Sequence, residues 1–179
     1  FFINVIKAVH DHADLLRASV ANAGNDHRLG ANEAPPAIMS IFIGEQLTKV
    51  LQEMEQDSSQ SSADEQQISS GLNVDIPKVP ELLLDNTDRN RTSPFAFTGN
   101  KFELRAGGSS MNVASPMIAL NTMVADQLNQ FKTEVDQAVK EGKEQDAAIV
   151  EILKRYLHEG KNILFEGNNY SEEWVKEAE

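Results

Sequence analysis

Cysteine is absent from the 179 residues, which excludes disulfides, thiolate zinc sites and cysteine nucleophiles. Basic residues are scarce. Sixteen Lys and Arg stand against 28 Asp and Glu, a formal charge of −12, and the pI is near 4.7. An acidic surface repels phosphate backbones, so general nucleic-acid binding is not expected. No apolar run reaches the roughly 18 residues that a membrane helix needs, so no membrane partner is expected either. There is no internal repeat and no glycine-rich phosphate loop of the Walker or Rossmann kind. Ser109-Ser110 has no companion that would make it a nucleophile. Phe1 opens an apolar stretch through Ile6 with no basic leader and no small-residue cleavage site, unlike a signal peptide. The simpler expectation is a buried element cut in its middle, and so a fragment that carries only part of a site.

Hydrophobic residues make up 40% of the chain, enough for a core, and the length suits one domain or part of a larger one. Val5, Val9, Ala13, Leu16 and Val20 recur at helical spacing and predict a helix over 4–22, stopped by Gly24 and Asn25. His10 and His12 would point about 200° apart on it, which argues against a shared metal. Residues 26–37 read as a loop, with Pro35-Pro36 leading into a helix over 36–55. Its apolar stripe is Ile38, Ile41, Phe42, Leu47, Val50, Leu51 and Met54. Residues 57–71 hold one large apolar side chain, Ile68, and predict a mobile polar loop. Residues 72–94 look irregular, broken by Pro77, Pro80 and Pro94.

Residues 95–105 read as a strand. In its second half Phe102 and Leu104 fall on one face, and Lys101, Glu103 and Arg105 on the other. A long helix over 114–140 follows, with Leu120, Val124, Leu128, Phe131, Val135 and Val139 as its seam. Gly142 separates it from a helix over 143–158, and the short connection favours an antiparallel hairpin spanning 114–158. Gly160 suits the residue just past that helix, and Ser171 suits the N-cap of a short terminal one, with Glu172 and Glu173 in its first turn.

Three patches carry chemistry. Lys101, Glu103 and Arg105 on one strand face could simply block edge pairing. The same trio could also handle phosphate and carboxylate. Glutamate ligates hard metals, lysine neutralises a phosphate, and arginine grips a carboxylate in a bidentate fork. Arg28 and Glu33, flanking Gly30, could form a surface ion pair, or a carboxylate clamp with a base that closes over a substrate. Arg89-Asn90-Arg91 is a basic island in an acidic chain and suggests an anion such as phosphate.

Taken in order, these patches resemble the glutamine synthetases. His27-Arg28-Leu29-Gly30-Ala31-Asn32-Glu33-Ala34-Pro35-Pro36 is similar to the family loop of Arg-Leu, a glycine, then Glu-Ala-Pro. Asn90-Arg91-Thr92-Ser93 is similar to its Asn-Arg-Ser segment, and Lys101-Phe102-Glu103-Leu104-Arg105 to its basic-x-Glu-x-Arg strand. The wording resembles the long type III branch, and the motifs fall within 26–116. The resemblance implies ATP-driven ligation of ammonia to glutamate through γ-glutamyl phosphate, with two or more Mg²⁺ or Mn²⁺ ions offsetting charge.

On that basis Arg28 and Arg105 bind substrate glutamate, and Glu33 helps deprotonate ammonium from a flap. Arg91 stabilises the phosphoryl group in flight, Glu103 ligates metal, and Lys101 and Arg89 lie at the nucleotide. Ala96 stands where the best-known branch has a second phosphate-contacting arginine, so that contact is either missing or supplied by Arg89 or Lys101. The interval from Arg28 to Glu33 is one residue shorter than in that branch.

The expected fold is α/β. It comprises a few active-site strands backed by long helices, predominantly helical, and 1–179 forms the C-terminal portion of a catalytic domain. The resemblance also implies a cytoplasmic, ring-forming homo-oligomer. The family's remaining metal-binding motifs are missing, so the chain alone is expected to be inactive. Two rivals remain: a non-catalytic acidic helical interaction module, and a related carboxylate–amine ligase. The ligase readings require Arg28, Arg91, Glu103 and Arg105 to converge on one place.

Overall fold

The structure, a computed structural model, describes residues 1–29, 38–60, 93–108, 110–168 and 170–178. The first helix, α1 (Phe2–Asp11), buries Ile3, Val5, Ile6, Ala8 and Val9 together with Asn4. A helix apolar on so many sides needs partners on more than one. It finds them in α5 (Ala114–Lys140) and α6 (Gln145–Gly160), which both pack against it. Each large apolar side chain buried this way contributes on the order of 1.5–3 kcal/mol. The three helices form the main layer.

The single helix expected over 4–22 is instead two, because His12 (φ −126°, ψ 29°) breaks it and α2 (Ala13–Ser19) restarts beyond. Gly24 and Asn25 do not lie in a loop. They belong to a short helix, α3 (Ala23–Arg28), whose N-cap Asn22 accepts a hydrogen bond from the Asn25 amide at 2.9 Å.

A three-stranded sheet forms the second layer, in the order β1-β2-β3. Strand β1 (Ile41–Phe42) occupies part of the stretch expected to begin a helix. The helix itself, α4 (Glu45–Gln60), starts later and runs on through 57–60. The rest of the polar loop expected over 57–71 lies outside the described residues. Strand β1 pairs in parallel with β2 (Phe95–Phe97), and β2 pairs antiparallel with β3 (Phe102–Leu104). The one strand expected over 95–105 is therefore a hairpin, turned through Gly99, whose φ of +95° suits a residue without a Cβ.

The sheet's two faces differ. Phe2 of α1 meets Phe97 edge-on and stacks on Phe102, and Phe102 in turn meets Phe95 and Phe97, all with ring centroids 5.0–5.6 Å apart. The register Ala96↔Glu103 puts Glu103 on the opposite face.

Helices α5 and α6 fold back on one another, with Phe131 against Tyr156 and an Arg155–Glu134 ion pair between them. Gly160 has φ −94° and is the last residue of α6 rather than the one beyond it. A Cβ there would meet Ile6 Cγ2 at 3.4 Å and Lys7 Cα at 3.7 Å, so α1 and α6 approach closely at this point. Past it, Phe165 N donates to Ile41 O at 3.0 Å and ties the chain back to β1. The buried Ser93 hydroxyl joins the same region, near Ser40 Oγ (3.0 Å) and donating to Phe165 O (3.1 Å). The last helix, α7 (Glu172–Ala178), is capped by Ser171 Oγ, which accepts from Trp174 N at 3.3 Å. It docks by stacking Trp174 on Phe165, centroids 4.1 Å apart.

The molecule is thus predominantly helical, with a small sheet, as the α/β expectation required. No helix among the described residues is long and apolar enough to cross a membrane.

Candidate functional site

Strand β3 sets the chemistry. Its pleat sends Phe102 and Leu104 toward the core, where both pack against it, and leaves Glu103 on the other face. Glu103 lies between two cations. Arg105 Nη2 donates to Oε2 at 3.0 Å and Arg105 Nε to the same oxygen at 3.3 Å, while Lys101 Nζ stands 3.3 Å from Oε1. The Arg105 guanidinium first, and then the Lys101 ammonium, hold the Glu103 carboxyl below the usual carboxylate range. The grouping of Lys101, Glu103 and Arg105 expected from alternation is present. Ala96, directly opposite Glu103, is fully buried, so it cannot reach a phosphate.

Arg28 ends α3, far from this strand in sequence, yet it is drawn to the segment leaving it. A Cβ placed on Gly108 would stand 3.2 Å from Arg28 Nε and 3.6 Å from its Cδ. Arg28 Nε and Nη2 are buried with no hydrogen-bond partner among the described residues. Buried donors left in that state cost about 1–3 kcal/mol each, and more for a charged group. An acceptor that reached them would recover that energy, and a carboxylate fits a guanidinium edge two bonds at a time.

Asn25 joins the two pieces. Its Nδ2 donates to Val20 O (2.8 Å) and Ala106 O (2.9 Å), and its Oδ1 accepts from Gly108 N (2.9 Å). Neither Asn25 nor Gly108 stands out in the sequence. The available signal was the Asn22-to-Asn25 spacing of an N-cap, which marks a helix start where a stop had been read.

Glu33, Arg89 and Arg91 lie outside the described residues. Of the expected convergence, Arg28 is therefore brought against Gly108, in the segment that leaves the strand of Glu103 and the Arg105 that follows it. His10 sits in the last turn of α1 with Nδ1 2.8 Å from Asp11 Oδ1, and it is not part of this grouping. Among the described residues no three His, Asp or Glu side chains cluster closely enough to hold a metal. Glu103 could give one oxygen to a divalent ion, but the donor set here is not a complete site.

Comparison with known proteins gives the family of the chain. A family model described as glutamine synthetase C-terminal domain matches residues 148–179. A glutamine synthetase of Bacteroides fragilis is 54% identical over 178 residues, which cover 99% of this chain and 24% of the relative. A type-3 glutamine synthetase of Dictyostelium discoideum is 46% identical over the same coverage. A glutamine synthetase of Butyrivibrio fibrisolvens is 44% identical over 183 residues, again 99% of this chain and 24% of the relative. The chain spans about a quarter of the length of the curated relatives it matches. Similarity at this level along nearly every residue, with a type-3 protein among the relatives, means that the chain belongs to the glutamine synthetase family.

Proposed function

We propose that this chain supplies the glutamate-binding side of an ATP-dependent glutamate–ammonia ligase, acting as part of a longer polypeptide and inactive by itself. Glutamate is first phosphorylated to γ-glutamyl phosphate, and ammonia then displaces phosphate to give glutamine. The observation that carries the reading is Arg28, whose Nε and Nη2 are buried with no hydrogen-bond partner among the described residues and whose Nε lies against Gly108, in the segment that follows Arg105. An interaction module has no use for such donors, whereas a substrate with two carboxylates does.

In this reading Arg28 and Arg105 receive the carboxylates of glutamate. Glu103 keeps Arg105 oriented and contributes one ligand to divalent metal, Mg²⁺ or Mn²⁺. Lys101 and Arg89 face the nucleotide, and Arg91 offsets charge on the transferring phosphoryl group. Glu33 attracts ammonium and accepts its proton. Bound metal would neutralise phosphate charge during transfer, with Glu103 as one of its ligands. The assembled enzyme is a cytoplasmic, ring-forming homo-oligomer.

The test is γ-glutamyl hydroxamate formation from glutamate, ATP, Mg²⁺ and hydroxylamine by the full-length enzyme. Glu103→Ala and Arg105→Ala are each expected to lose about a hundredfold or more while staying folded. An active enzyme indifferent to both changes would remove this strand from the site.

A further inference from the structure

Asn25 belongs to none of the motifs that the proposed function uses, yet it is only 3% exposed and its carboxamide is fully engaged with main chain. Nδ2 bonds Val20 O and Ala106 O, and Oδ1 takes the Gly108 amide. Ala106 immediately follows Arg105. Arg28 stands three residues after Asn25 on α3, on the same side of the helix. One amide therefore fixes the separation between the helix that ends in Arg28 and the segment that leaves Arg105. Gly108 is the contact point, because a Cβ there would crowd Asn25 Oδ1 at 3.4 Å as well as Arg28 Nε at 3.2 Å.

We infer that Asn25 is a positioning residue that sets the spacing of Arg28 and Arg105, and that Gly108 is kept free of a side chain so that the Arg28 guanidinium can lie against it. The inference rests on the proposed reading of the two arginines as the glutamate carboxylate site. Its chemical content is a two-point carboxylate gauge. The distance between the cations, not only their charge, selects a dicarboxylic amino acid.

The test uses steady-state kinetics of the full-length enzyme. Asn25→Ala is expected to raise the KM for glutamate about tenfold or more, the usual scale for losing a group that orients a ligand-binding side chain. The KM for ATP should stay within about twofold. Placed in an Arg28→Ala background, Asn25→Ala should add less than about twofold, because it acts through Arg28. A fall in the amount of active enzyme with both KM values unchanged would mean a merely structural amide and would overturn the inference.

If Asn25→Ala does not fold, Gly108→Ala takes its place. It leaves the Asn25 carboxamide intact and crowds Arg28 directly, and the same selective rise in glutamate KM is expected. An unchanged glutamate KM there overturns the inference too. If Arg28→Ala itself leaves glutamate KM unchanged, the proposed function fails and this inference with it. If Arg28→Ala raises it while both Asn25→Ala and Gly108→Ala are silent, only this inference fails.

Discussion

Glu103 has two cationic neighbours but remains partly open to solvent, and both facts govern how it titrates. Arg105, then Lys101, lower its pKa from an ordinary value of 4.5. A carboxyl depressed on folding contributes above the unfolded value, and that contribution is lost only as pH falls through the lower, folded one. Because the group is exposed, its effect on stability is screened and small. Its effect on the site is not, since Glu103 stays ionised throughout the neutral range. Lys101→Met is therefore expected to lower the rate of hydroxamate formation without moving either limb of the pH–rate profile between about pH 5 and 8. A limb that shifted into that range would show that Glu103 is not the anion described.

At the scale of elements, the α1–α6 contact responds to alkali. Burial pushes the Tyr156 phenol up to about 12, and the nearby Glu134 carboxylate reinforces the shift. Among the described residues the buried phenol oxygen meets no partner in good hydrogen-bonding geometry, although Glu134 and Gln127 stand close enough to affect it. On α1, burial works against the Lys7 ammonium, but Asp11 at 2.6 Å and Glu159 at 3.2 Å outweigh it and raise its pKa above 10.5. Both groups have folded values above their unfolded ones. Their contributions are complete below about pH 10 and fade as pH rises through the folded values. Tyr156→Phe should be neutral within about 1 kcal/mol at pH 7, and should flatten the fall of the thermal midpoint above pH 10. A drop of several degrees at pH 7 would mean that the phenol is bonded after all.

The same elements divide by how legible they were. Helix α5 was read to its residue limits, because its amphipathic period runs over seven turns. Strand β1 has two residues, too few to declare a period, so the helical stripe that included Ile41 and Phe42 absorbed it. Helix α3 was missed because Gly24 and Asn25 are poor helix formers. Asn25 is held there by bonds to Ala106 and Gly108, 81 and 83 residues away, and no local rule reports such contacts. The site divides in the same way. Alternation along β3 put Lys101, Glu103 and Arg105 on one face, but only the tertiary bonds of Asn25 bring Arg28 to the segment that follows them.

At the scale of the whole molecule, the described residues offer one carboxylate between two cations, a third cation against Gly108, and no cluster of metal ligands. The chain is also about a quarter as long as its relatives. A site that transfers phosphate between two anionic substrates needs divalent metal to offset their charge, and the described residues have no cluster to hold it. The isolated 179-residue chain is therefore expected to give no hydroxamate above background under conditions where the full-length enzyme is active. Turnover comparable to the full-length enzyme would mean that a complete site exists within these residues.

The packing of α1 between α5 and α6 also has a consequence in time. Strand β1 waits for Phe95 and then for Phe165, and α1 waits longer still for its two helical partners. From Asp11 to Gly160 the ribosome adds about 150 residues, on the order of 7–30 s at usual synthesis rates. For that interval the most apolar helix of the chain has left the ribosome with its partners unmade. Helices α5 and α6, joined by a short turn, close on each other as soon as both exist. Helix α6, complete only at Gly160, thus finishes the shelter of α1. During synthesis the hazard lies at Phe2–Asp11, far along the chain from residues 101–105, where the chemistry is proposed.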